Sequence, residues 1–150
     1  MTHKERVRRV KWQLSHYAQY KKELADYEND ILYGTPNYDN AGIRGSYISD
    51  PSARKGIALT EMPKDLEEKA RWCSAIEDGI RDLREQDNGR KHGLEYICMH
   101  AFGVPFKRQK HGTVRIAIDC ETSRGTVYYN MQVIVNTMMY HAIKAGLLDK

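Results

Sequence analysis

The sequence predicts an all-α protein, and three observations carry that expectation. Two series of apolar residues recur at the alternating three-and-four spacing of a helical seam, one from Val7 to Ile31 and one from Leu66 to Leu83. A third helical face follows the capping residue Ser123, where Val127, Met131, Ile134 and Met138 stand four, three and four positions apart. No long run alternates apolar with polar residues, so strands are not expected.

The first helix is expected over residues 4–31. Its seam reads Val7, Val10, Leu14, Tyr17, Lys21, Leu24, Glu28 and Ile31, with Lys21 and Glu28 as polar imperfections, and it needs a partner. Residues 34–49 concentrate Gly, Pro, Asn and Asp and read as a long loop. Ser49-Asp50-Pro51 marks the next start, a capping side chain followed by a proline suited to a first turn. That helix is expected to reach about residue 87. Pro63 should kink or interrupt it, because an interior proline removes a hydrogen bond and clashes with the preceding turn. Beyond it Leu66, Cys73, Ile76, Ile80 and Leu83 can pack antiparallel on the first helix, within one chain or between two copies.

Gln86-Asp87-Asn88-Gly89 is a turn signal. It divides the chain into a helical N-terminal and oligomerisation region, 1–88, and a C-terminal region, 89–150. In the latter, Leu94 to Phe102 reads as a helix stopped near Gly103, with Pro105 beyond the stop. A basic connector, Lys107-Arg108-Gln109-Lys110-His111-Gly112, leads to a short helix from about Thr113 to Cys120 with Val114, Ile116, Ala117 and Cys120 as its apolar set. Glu121-Thr122-Ser123 then opens the last helix, which can continue to about Ala145. A short helix, a tight turn and a capped second helix are the sequence form of a helix-turn-helix.

Composition narrows the class. At 150 residues the chain suits one full-sized domain or two small helical ones. The cysteines Cys73, Cys98 and Cys120 are odd in number and widely spaced, as expected of reduced thiols in a cytoplasmic protein. Cys98 and His100 lack a second ligand pair, so no metal or other cofactor is expected. The basic N-terminus has no signal-peptide apolar run, and no segment has a membrane span's length of apolar residues.

Charge is divided along the chain. Residues 1–22 carry seven Lys/Arg against one acid, residues 23–88 eight against fifteen, and residues 89–150 nine against four, within a net +4. Basic ends suggest a polyanion, and an acidic middle suggests self-association or a protein contact.

The face of the last helix opposite its apolar stripe carries Arg124, Gly125, Tyr128, Tyr129 and Gln132. This suits a recognition helix in a DNA major groove: a planar donor for guanine, a glycine permitting close approach and amphipathic aromatics. Lys107, Arg108, Lys110 and Arg115 would contact phosphates, with Ser123 at the start of the helix. An ordinary amphipathic surface helix is the plainer alternative.

In its order of features the chain resembles the RinA and ArpU-like transcriptional regulators of phages and prophages of Gram-positive bacteria. The resemblance is carried by the long first helix ending Tyr27 to Tyr33, Ser49-Asp50-Pro51-Ser52-Ala53-Arg54-Lys55, Trp72-Cys73-Ser74-Ala75-Ile76-Glu77, Ile116-Ala117 leading to Ser123-Arg124-Gly125-Thr126-Val127-Tyr128, and Gly146-Leu147-Leu148. The C-terminal part is similar to region four of bacterial sigma factors. Two positions depart from the pattern: Glu121 stands where glycine is frequent, and Asn130 where an apolar residue is usual. The resemblance implies a promoter-proximal target and RNA polymerase as a further partner.

The expected function is therefore sequence-specific binding of double-stranded DNA by a non-enzymatic homodimeric regulator in the bacterial host cytoplasm. The alternatives are a phage terminase small subunit, which recognises DNA for packaging, and a helical protein–protein interaction module. An enzyme using His100, His111 or His141 as acid or base is disfavoured, since no nucleophile–base pair, metal-spaced cluster or glycine-rich phosphate loop is present.

Overall fold

The computed structural model describes residues 1–33, 62–104 and 111–149, which form five α-helices and, among the described residues, no strand. In chain order these are α1 (His3–Tyr33), α2 (Lys64–Asp87), α3 (Leu94–Phe102), α4 (Thr113–Asp119) and α5 (Arg124–Lys144). None is long and apolar enough to cross a membrane.

α1 opens with a reciprocal cap. The Glu5 N–H donates to Thr2 Oγ1 at 3.2 Å, and the Thr2 N–H donates back to Glu5 Oε2 at 2.7 Å. Its seam is buried at Val10, Leu14 and Tyr17, with Tyr20 added, and half-buried at Val7 and Leu24. Lys21 leaves the core to reach Glu77 Oε1 of α2 at 2.9 Å, the atom to which the Tyr17 hydroxyl also donates at 2.9 Å. Burial, reinforced by this bond to Glu77, drives the Tyr17 hydroxyl well above its ordinary pKa.

Side-chain contacts join the two long helices at several points. Glu68 of α2 pairs with Arg9, while Lys69, the next residue, pairs with Glu23. Those two α1 positions are about 21 Å apart at 1.5 Å per residue, and Tyr17 and Lys21, which lie between them, meet Glu77. Heptad spacing specifies an apolar stripe on each helix, and α5 packs on both helices. The Val7–Leu24 seam is accordingly covered within one chain.

Pro63 sits at the N-cap of α2 with φ −55 and ψ 145, before the first turn, where its missing N–H leaves no intrahelical bond unmade. The expected start at Ser49-Asp50-Pro51 lies outside the described residues. Beyond Pro63, Cys73, Ile76, Ile80 and Leu83 are buried and Leu66 is half-exposed. Gly79 faces α5, and a Cβ there would collide with the Met138 thioether, so the crossing of these two helices depends on the missing side chain.

The Gln86–Gly89 turn is present, with Asn88 and Gly89 both left-handed at φ 49 and 87. The core continues across it: Trp72, Ile76 and Leu83 from one side share a single buried cluster with Ile97, Ile116, Val127, Ile134 and Met138 from the other.

What joins the two sides is Asp87. It is only 4% exposed, and its carboxylate accepts the Leu94 N–H at 2.6 Å and the Glu95 N–H at 2.9 Å, capping α3 from the end of α2. Gly93 intervenes, where any Cβ would strike the carboxylate. α3 stops at Gly103, whose left-handed N–H donates to the Met99 carbonyl at 2.9 Å.

In α4 the apolar set is corrected. Ile116 and Ala117 are buried, but Val114 is 53% exposed and Cys120 is the half-buried C-cap. A helix of seven residues presents two adjacent positions to the core, and Val114, two positions before Ile116, falls on the far side.

Replacing Asp87 by Ala is expected to cost about 1–3 kcal/mol, read from the urea midpoint, because one buried and one part-buried N–H group lose their acceptor. Asp87→Asn, which keeps one carbonyl oxygen, should lose less. Acid should also unfold the chain. Lys69 holds the Glu23 carboxyl below its ordinary pKa, Gln86 and then His141 do so for Asp82, and Tyr96 followed by Arg115 for Asp119. Because the folded values are the lower ones, these carboxylates stabilise above the unfolded pKa and lose that contribution as pH falls. Stability measured against pH should thus drop below about pH 4.

Candidate nucleic-acid interface

The turn between α4 and α5 is closed by two backbone bonds. The Thr122 N–H donates to the Ala117 carbonyl at 2.9 Å and the Glu121 N–H to the Ile118 carbonyl at 3.1 Å, the paired arrangement in which the residue between must be left-handed. Glu121 is that residue, with φ 54. It therefore carries a conformation that favours glycine, at the position where the sequence pattern departs from glycine.

Ser123 then caps α5, its Oγ accepting the Thr126 N–H at 3.2 Å. The hydroxyl is thereby engaged by the helix it starts. Val127, Ile134 and Met138 point into the core and Met131 is half-buried, which turns Arg124, Gly125, Tyr128, Tyr129 and Gln132 to the outside. All five are exposed, Tyr129 by 65%.

At 3.6 residues per turn, Gly125, Tyr129 and Gln132 continue into Asn136 and Tyr140, both exposed, so the outward stripe is longer than the one read from sequence. The four-and-three spacing of these residues was the available signal. No acidic residue occurs anywhere in α5.

Arg124 leans along its own helix. Thr113 Oγ1 lies 3.4 Å from the Tyr128 hydroxyl, and the Arg124 guanidinium bonds to the same oxygen; together, Thr113 first, they hold the Tyr128 pKa below its ordinary value. No ion pair joins Arg124 to Glu121. Arg115 belongs to a different set: its Nε is 3.7 Å from Asp119 Oδ2, an oxygen that also accepts the Tyr96 hydroxyl at 2.8 Å, while the arginine side chain remains 69% exposed. Lys107, Arg108 and Lys110 lie outside the described residues.

The fold places a second element beside α5 that sequence reading did not. An open groove of about 430 Å³ has His3, Val7 and Lys11 of α1 on one side and Tyr128, Met131, Gln132, Val135 and Asn136 of α5 on the other. The basic start of the chain and the outward face of its last helix are neighbours. Periodicity reports the faces of one helix and cannot report this adjacency.

The histidines occupy two other places. The His100 and His111 rings stack at 4.3 Å, Tyr96 tilts against His100 at 4.3 Å, and His111 Nδ1 lies 3.9 Å from Asp119 Oδ2. His141 Nε2 meets Asp82 Oδ2 at 3.1 Å. Burial pushes the Cys98 thiol up to about 12, so it packs as a small apolar group rather than reacting as a thiolate. Among the described residues no group of three or more His, Cys, Asp or Glu side chains is arranged to hold a metal ion.

Comparison of the chain with family models, with curated proteins and with solved structures finds no match.

Glu121→Gly should raise stability by about 1 kcal/mol in chemical unfolding, because the left-handed conformation costs glycine no Cβ contact. The same substitution should leave the outward face of α5 unchanged.

Proposed function

We propose that this protein is a sequence-specific duplex-DNA-binding regulator of transcription that reads the major groove with α5. One observation carries the reading: a capped helix without acidic side chains, set behind a tight turn from α4, turns Arg124, Gly125, Tyr128, Tyr129 and Gln132 outward. Arg124 stands at the first turn, where a recognition helix is nearest the bases, and a guanidinium can donate two bonds to guanine O6 and N7. Gly125 permits close approach of the backbone. Gln132 can make the paired contact to adenine, and the tyrosines offer apolar rings with a polar tip.

Arg115, together with Lys107, Arg108 and Lys110, supplies sequence-independent phosphate contacts in this reading. The resemblance to the RinA and ArpU-like regulators adds a promoter-proximal target and contact with RNA polymerase. A homodimer on a two-fold operator remains compatible with it, but would pair through a surface other than the Val7–Leu24 seam, which the chain's own core occupies.

Selection of bound sequences from random duplex DNA tests the proposal, and a defined motif is the expected outcome. On the selected duplex, Arg124→Ala should cost about 1–3 kcal/mol and relax preference at one base pair. Binding curves against selected and scrambled duplexes measure both effects. Intact affinity together with intact preference would remove the α5 face from the mechanism.

A further inference from the structure

The first three turns of α1 carry His3, Lys4, Arg6, Arg8, Arg9 and Lys11 against one acid, Glu5, whose carboxylate is held by the Thr2 N–H. The fold separates Arg9 from Lys4, Arg8 and Lys11. Arg9 is on the α2 side, paired with Glu68. Lys4, Arg8 and Lys11 are spaced by four and three, fall within about 60° of one another at 3.6 residues per turn, and are all exposed. Lys11 fixes which way this second flank faces, because it lines the groove opposite Tyr128, Gln132 and Asn136 of α5.

From this placement we propose that Lys4, Arg8 and Lys11 form a second DNA contact, gripping the phosphate backbone beside the groove that α5 enters. The inference rests on the DNA-binding reading of α5 and extends it to a segment distant in sequence. Charge complementarity selects the occupant. A row of cations on α1 adjoins a helix with no acid in its 21 residues, so an anionic backbone alongside α5 meets no carboxylate from that helix and three positive side chains from its neighbour. The two surfaces would divide the work, the α5 face choosing sequence and the α1 flank adding affinity without choice.

The test uses the full chain, the duplex most strongly retained from a random pool and a scrambled duplex of equal composition. Affinity is measured across a salt series for wild type, for the triple variant Lys4→Ala, Arg8→Ala, Lys11→Ala, and for a charge-matched control at the exposed positions Lys64→Ala, Arg81→Ala, Lys91→Ala. Each phosphate contact contributes about 0.9 to the slope of log affinity against log salt, so the triple variant should flatten it by about 2–3. It should weaken both duplexes by the same factor and leave their ratio intact. The control should retain most of the wild-type slope. All three α1 positions are exposed, so an unchanged unfolding midpoint is expected and verifies that the fold persists.

A triple variant with the wild-type slope, on a wild-type chain that does bind duplex, overturns this inference and spares the α5 reading. Equal losses in the triple variant and the control overturn it too, since diffuse charge then suffices. A wild-type chain that binds no duplex at low salt overturns both readings. Loss of binding to phosphatidylserine vesicles in the triple variant, with duplex affinity unchanged, would assign the flank to membranes instead.

Discussion

The geometry of the molecule depends on a buried carboxylate. Asp87 ends α2 and, across Gly93, supplies the acceptor for the first two N–H groups of α3. A charged group so deeply enclosed is costly unless its hydrogen-bonding capacity is used, and two backbone donors at 2.6 and 2.9 Å use it. The bond thus sets where α3 begins and the direction in which it leaves α2. α3 packs in turn on α4 and α5, so the position of the outward helix is referred back, through the core, to one side chain at the end of α2.

Electrostatics then separate two kinds of surface. Between α1 and α2, acids and bases from distant parts of the chain meet: Arg9 with Glu68, Lys21 with Glu77, and Lys69 with Glu23. Exposed pairs of this kind are weak in water, so their larger effect is on charge distribution. Two of them, Arg9 with Glu68 and Lys21 with Glu77, set the acidic middle of the chain against part of the basic N-terminus. Lys11, on the other flank of α1, is left beside α5.

A third arrangement holds α3 and α4 together. Tyr96 of α3 donates to Asp119 of α4, Arg115 approaches the same carboxylate, and His100 and His111 stack with the His111 N–H bonded to the His100 carbonyl at 3.0 Å. These contacts tie the ends of the stretch containing the basic connector to the packed helices, and so give three of the histidine and tyrosine side chains a structural use. Cys98, buried beneath them in the same core, is kept protonated by its surroundings.

Local chemistry made several features legible in the sequence. The helical class, the cap at Ser123, the stop at Gly103, the turn at Asn88 and Gly89 and the outward set from Arg124 to Gln132 all follow from spacing and capping, and those depend on residues within one or two turns of each other. Val114 shows where such reasoning ends: an apolar residue in a short helix is assigned a side only by what packs against that helix. The pairing of Arg9 with Glu68 and of Glu23 with Lys69, the cap that Asp87 provides to α3, and the placement of Lys11 beside Gln132 are likewise outside the reach of periodicity. Each joins residues from different helices, and their meeting is decided by how five amphipathic faces share one core; the sequence specified the faces, and the tertiary structure decided which of them came together.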